Sequence, residues 1–276
     1  MNMRILCIGD VVGQTGRAVF AKHIDTIRAK YKIDVTVVNG ENSASDGRGI
    51  TTRAAEFFKQ HKVDVITSGN HIWDKKDIQS YIAENKNFVL RPANYPSECP
   101  GVGISLIKTN AGTVAIVNLQ GRVFMRENLD DPFKTALSLL SYLKDKAKII
   151  IVDFHAETTA EKAGLAFYLD GKVSALVGTH THVQTADERI LPQGTAFITD
   201  LGMCGSLNSM LGMKKEPIIQ LFLTQMPVRF QVDTQSPYLI NGVVIEVDAQ
   251  TGKALSIERL AIVDHDLQVD FKEDEK

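Results

Sequence analysis

The chain has 276 residues, 44% apolar and 23% charged, a globular composition that excludes disordered and fibrous classes. Its net charge of −2, without any Lys/Arg block, argues against binding long nucleic acid. No run approaches 18 consecutive apolar residues, so no membrane-spanning helix and a cytoplasmic protein are expected. Cys7, Cys99 and Cys204 are widely spaced and form no CxxC pair, which excludes a disulfide framework and a thiolate zinc site.

Taken in order, Met3 to Gly9 reads as a buried strand and residues 15–30 as a helix. Ile33 to Asn39 is the next strand, 52–60 the next helix, Val63 to Thr67 a third strand, and Asp74 to Glu84 a third helix. This alternation predicts βαβ units with right-handed crossovers. Val102 to Lys108 and Thr113 to Leu119 flank Thr109-Asn110-Ala111-Gly112, a hairpin signal. Asp131-Pro132 opens a helix to about residue 145. Lys148 to Phe154 is a strand, 157–169 a helix, and Val173 to Val177 and Thr195 to Thr199 are strands. Val228 to Val232, Leu239 to Val247 and Ala254 to Val263 complete the strands, before a charged, frayed tail at 271–276. No linker divides the chain. The expectation is one α/β domain over 1–276, a sandwich of two mixed sheets flanked by helices.

The chemistry lies where these strands end. The first ends in Gly9-Asp10, the second in Asn39-Gly40-Glu41-Asn42, and the third in Ser68-Gly69-Asn70-His71. Lys148 to Phe154 ends in His155, and Val173 to Val177 in Gly178-Thr179-His180-Thr181-His182. Ligands of α/β sheets bind at the carboxyl ends of strands. A lone Asp or Asn there is ordinarily a turn or helix cap, and a lone His a hydrogen-bonded residue. His180-x-His182 is stronger, since alternate residues of an extended segment share a face. Carboxylate, carboxamide and imidazole donors suit Mn, Fe, Zn, Ni or Co better than Mg or Ca. Gly9, Gly13 and Gly16 approach a dinucleotide-binding turn, but the spacing is wrong and four histidines are left unexplained.

The order Gly-Asp, acid, Gly-Asn-His, His, Gly-x-His-x-His resembles the calcineurin-like metallophosphoesterase superfamily. Asp10-Val11-Val12-Gly13, Asn39-Gly40-Glu41-Asn42, Arg91-Pro92-Ala93-Asn94-Tyr95-Pro96 and Gly178 to Thr185 resemble its bacterial YmdB-type branch, as does Leu223 to Phe230. Val12 stands where the wider superfamily has His, and Glu41 where it has a bridging Asp. The resemblance implies two divalent metal ions, iron or manganese first and zinc also compatible. Asp10, Glu41, Asn42 and His182 would hold one; Glu41, Asn70, His155 and His180 would hold the other. His71 would be the proton donor. The activity implied is hydrolysis of a small phosphodiester, such as a 2′,3′-cyclic nucleotide, by a homo-oligomer. A phosphomonoesterase, a nucleotide-sensing module with little turnover and a structural protein with incidental metal are the alternatives. Arg91, Asn94, Arg122 and Phe124 are further candidates for substrate contact.

Overall fold

Strand-period alternation places the chain's apolar residues on two faces of two sheets. The structure, a computed structural model, describes residues 2–268; the predicted tail at 271–276 lies outside them. In the first sheet, β1 (Asn2–Ile8) pairs in parallel with β3 (Val35–Asn39), and β3 with β4 (Val65–Thr67). On its other side β1 runs antiparallel to β12 (Tyr238–Asp248). β12 also pairs with β13 (Ala254–Asp264) and β11 (Met203–Ser206), and β11 with the short β2 (Asp10–Val11). The second sheet is ordered β5 (Ile104–Thr109), β6 (Gly112–Gln120), β7 (Ile149–His155), β8 (Ala175–Thr179), β10 (Ala196–Ile198), β9 (Arg189–Ile190). The expected hairpin joins β5 and β6, with Thr109 paired to Gly112.

Met3, Ile5, Cys7, Val35 and Val37 face Ile116, Ile151, Val177 and Ile198 in a core between the sheets. The alternate residues Leu6, Ile8 and Val38 pack outward against Val19, Phe20 and Ile24 of α1 (Gly13–Tyr31), and Ala54 and Phe58 of α2 (Thr52–Gln60). On the far face, Val117, Leu119, Val152 and Phe154 meet Ala136 and Leu143 of α4 (Pro132–Leu143), and Leu165 and Ala166 of α5 (Thr159–Tyr168). The result is the expected helix–sheet–sheet–helix sandwich. Cys7, Cys99 and Cys204 are free thiols.

Three expectations need correction. The helix expected from Asp74 is α3, Ile78–Glu84. Residues 70–77 form turns, in which Asp77 accepts from the Thr52 backbone N–H at 2.7 Å. Val228 to Val232 alternates like a strand but forms no ladder, only a bridge from Val232 to Met213. Its neighbours are loop residues 212–214, with hydrogen bonds Lys214 N–H to Gln231 O and Asp233 N–H to Gly212 O at 2.8 Å. Finally, residues 215–224, which the sequence left unassigned, form α6 (Lys215–Thr224). Pro217 in its first turn and Ile218, Leu221 and Phe222 at helical spacing were the available signals.

Candidate functional site

Parallel strands end together, so β1, β3 and β4 of one sheet and β7 and β8 of the other deliver their carboxyl ends to one rim. Asn39, at the end of β3, crosses between the sheets: its amide donates to Asp153 and Thr179 at 3.3 Å. The rim holds every residue singled out above as a metal ligand. His155 is itself the last residue of β7 rather than part of a following loop.

Glu41 is central. Its Oε1 lies 3.1 Å from His155 Nε2 and 3.3 Å from Asn42 Nδ2, so one carboxylate oxygen faces both halves of the cluster. On one side, His155 Nε2 is 3.0 Å from Asn70 Oδ1 and 3.0 Å from His180 Nδ1. On the other, His182 Nε2 is 3.0 Å from the Asn42 amide and 3.7 Å from Asp10 Oδ1. Rotating that amide about its last torsion brings Oδ1 to the same point. His155 approaches so closely that a Cβ on Gly69 would lie 2.1 Å from its ring, which requires glycine before Asn70.

Each imidazole has one nitrogen committed outward. His155 Nδ1 donates to Thr179 Oγ1 at 3.0 Å, and that hydroxyl donates to Asp153 at 2.8 Å. His180 Nε2 meets Glu157 at 3.0 Å. His182 Nδ1 donates to the Leu211 carbonyl at 2.9 Å. A ring whose hydrogen is fixed outward turns its lone pair inward, so three nitrogen lone pairs and the Asp10 and Glu41 carboxylates converge. The loop that carries His180 and His182 is strained as well: the two have φ of 104° and 65°, each costing about 1–3 kcal/mol. A buried ion pair, Lys162–Asp200 at 2.7 Å, holds that loop, with Asp200 also accepting from Thr181 N–H at 3.1 Å.

This donor set fits divalent cations. Asp10 Oδ1 is buried without a hydrogen-bond partner, and burial pushes its carboxyl up to about 6. His180 is driven down to about 3 by burial and by the charge of His155. Burial opposes charging His155, but Glu41 overrides it and lifts the imidazole to about 9, so its inward Nε2 carries a proton that a bound cation would displace. A buried carboxylate oxygen lacking a hydrogen-bond donor is a frustration that a cation relieves, and the two imidazoles and carboxylates around it are donors suited to one.

Val12 supplies no donor. It is fully buried and packed under Gly212, where a Cβ would lie 2.6 Å from Val12 Cγ1. A histidine at this position would displace the loop whose Leu211 carbonyl orients His182, so it offers no route to replacing Asn42. Asn42→Ala is expected to weaken the Asp10/His182 half selectively, by at least the ~10–100-fold that follows loss of an outer partner. The half built on Asn70, His155 and His180 should keep its ion, and Asn70→Ala should do the reverse. Titration of Mn(II) into each variant reads this; unchanged loading of both halves in Asn42→Ala would reduce Asn42 to a turn residue.

His71 stands beside the cluster and is no part of it. Its backbone N–H donates to Glu41 Oε2 at 3.3 Å, and its Nδ1 lies 3.0 Å from Asp74. Asp74 in turn accepts from Arg48 at 3.1 Å. Nε2 has no hydrogen-bond partner among the described residues. The other candidates divide. Asn94 is structural, bracing Gln120 and Asp130 through its amide. Arg91 is buried, and Arg122 pairs with Asp131 at 3.0 Å. Phe124 is exposed at positive φ. Sequence reasoning missed Asp74, Asp153, Glu157, Thr179 and the Lys162–Asp200 pair.

The family model for YmdB-like protein matches residues 6–260. A Bacillus subtilis protein named 2′,3′-cyclic-nucleotide 2′-phosphodiesterase is 50% identical over 262 residues, 95% of this chain and 98% of the relative. A solved structure described as a novel phosphatase from Mycoplasma pneumoniae is 36% identical with a TM-score of 0.88, covering 96% of this chain and 95% of that one. The solved structure of a hypothetical protein from Thermus thermophilus is 37% identical with a TM-score of 0.86, covering 95% of this chain and 100% of that one. By sequence and by fold, this chain belongs to the YmdB-like family.

Proposed function

We propose that the protein is a metal-dependent phosphodiesterase acting on small phosphodiesters, 2′,3′-cyclic nucleotides foremost. The observation that carries this reading is the convergence of seven oxygen and nitrogen donors from both sheets on one rim, with His71 beside them. The name of the Bacillus subtilis relative supports the substrate class. Asp10, Glu41, Asn42 and His182 would hold one divalent ion, and Glu41, Asn70, His155 and His180 a second, with iron or manganese the preferred metals. When bound, such a pair supplies Lewis acidity toward the phosphate and toward an attacking water.

The chain's own residues do the rest. Thr179, Glu157 and the Leu211 carbonyl fix the three imidazoles so that their lone pairs are presented without reorganisation. Asp74 holds Nδ1 of His71, which leaves Nε2 to deliver a proton to the departing alkoxide, while the Asp74 carboxylate stabilises the imidazolium. Breaking a P–O bond to an alkoxide needs this proton; breaking one to a nitrophenolate hardly does.

The test is a substrate panel assayed with Mn(II) and with Fe(II). 2′,3′-Cyclic nucleotides and bis-p-nitrophenyl phosphate are expected to turn over at least ~10-fold faster than p-nitrophenyl phosphate, a margin of about 1.4 kcal/mol in the barrier. Preference for the monoester would favour a phosphatase on the same site. Absence of turnover for every ester, with metal bound, would favour a sensing module.

A further inference from the structure

The metal-ligand cluster opens into a cavity of about 680 Å³, whose lining includes Glu41, His71, His180 and His182 at one end. That is the size range of a small-ligand site. The other end is built differently. Met213, Ile218, Leu221, Phe222 and Phe230 line it, and they come from loop 210–214, α6 and the segment 228–232. No polar side chain lies among them. The remaining polar lining residues are Asn42, Glu157 and Thr181, which sit with the charged end, and Arg48, which also lines a neighbouring cavity with Met213 and Phe230. Arg48 is already paired with Asp74 at 3.1 Å.

Two aromatic rings on this wall are left open to solvent, Phe222 at 67% and Phe230 at 47% exposure. The wall is also mechanically tied to the charged end. The Leu211 carbonyl holds His182 Nδ1 at 2.9 Å, and Ile218 is buried to seat α6. With divalent ions held at the charged end as proposed above, a ligand that spans both ends carries an anionic group at one and an apolar face at the other, joined over a short span.

We propose that this wall is a nucleobase subsite, which takes the base of a nucleoside 2′,3′-cyclic phosphate by stacking on Phe222 and Phe230 without reading its edge. The assignment rests on the phosphodiester function proposed above and adds to it how the nucleoside is held. Every base has a π-face, and base–aromatic stacking tolerates sequence. With no amide, hydroxyl or free charged side chain on the wall, nothing there distinguishes the donors and acceptors of adenine from those of cytosine. The site should accept purines and pyrimidines alike, and should handle poorly a ribose cyclic phosphate that has no base.

The experiment compares kcat/KM for adenosine 2′,3′-cyclic phosphate, cytidine 2′,3′-cyclic phosphate and a base-free analogue carrying a methoxy group at C1′. The wild-type protein should favour both nucleotides over the analogue by about tenfold or more, corresponding to ~1–3 kcal/mol of stacking, with the two bases within a few-fold of each other. Phe222→Ala and Phe230→Ala should each lower that preference by about tenfold, through KM rather than kcat. Leu223→Ala is the control: Leu223 lies on the same helix, is 80% exposed, and does not line the cavity. It should keep the wild-type preference. A wild-type protein indifferent to the base, a preference that survives both Phe substitutions, or an equal loss in Leu223→Ala would overturn the assignment. The last result would mark α6 as a general association surface. If the protein cleaves monoesters and no cyclic diester, it is the function proposed above that falls. The same preference, measured with nucleoside and base-free ribose 2′-monophosphates, then decides the subsite by itself.

Discussion

Removing divalent metal is expected to abolish turnover, and Mn(II) or Fe(II) to restore it, with about two ions bound per chain in the loaded protein. The expectation follows from the shape of the donor set more than from its composition. Three imidazoles have one nitrogen each committed outward to Thr179, Glu157 and Leu211, so their other nitrogens point inward, where a cation would take the place of the proton that Glu41 holds on His155. Two of those nitrogens stand 3.0 Å apart, and Asp10 Oδ1 has no hydrogen-bond donor among the described residues. Such an arrangement is unfavourable without a cation and favourable with one, so chelation should also lower stability. An ion present at a hundredfold excess over its Kd stabilises the native state by about 2.7 kcal/mol, and the melting temperature should fall on chelation accordingly. This second readout does not depend on knowing the substrate. Full activity in protein shown by elemental analysis to be free of metal would end the metal-dependent reading.

Much of this centre was legible in the sequence because it obeys a positional rule. Buried apolar runs such as Ile149 to Phe154 mark strands that lie within a sheet, and a polar residue at the end of such a run has only the sheet's rim to occupy. Glu41, His155 and His180 could be grouped on that basis before any geometry was known. What supports them was not legible, for identifiable reasons. Asp153 sits inside an apolar run, two residues before His155 and on the same face, and a single charge there gives no hint that it completes a chain through Thr179. The partner of His182 is a backbone carbonyl, Leu211, which no residue identity can announce. Lys162 and Asp200 are 38 residues apart, and each alone reads as an ordinary helix or loop charge. Val228 to Val232 shows the converse error. Its alternation is genuine, but the chain beside it is a loop, so the pattern orients side chains, Phe230 into the cavity among them, without building a sheet.

Replacing His71 by Ala is expected to lower turnover of alkoxide-leaving diesters by ~10²–10⁴ while leaving metal content near wild type. The structure supports this separation of roles. Among the described residues the His71 imidazole hydrogen-bonds Asp74 and no residue of the cluster; its backbone N–H reaches Glu41, and that contact survives the substitution. The residue therefore touches the Glu41 carboxylate through an atom that Ala retains and faces the cavity through a ring that Ala lacks. The loss should be much smaller for bis-p-nitrophenyl phosphate, whose leaving group departs without a proton. Asp74→Asn should fall between wild type and His71→Ala. It keeps a hydrogen-bonding group beside Nδ1 but removes the carboxylate that fixes the tautomer and stabilises the imidazolium. These three rates, measured on both substrates with metal content determined on the same samples, distinguish the possibilities. If His71→Ala loses metal in proportion to activity, the imidazole is part of the metal-holding structure. If it slows both substrates equally with metal retained, the ring positions the phosphate and does not protonate the leaving group. A loss confined to the alkoxide-leaving substrate, reproduced more weakly by Asp74→Asn, is the signature of a proton delivered from Nε2.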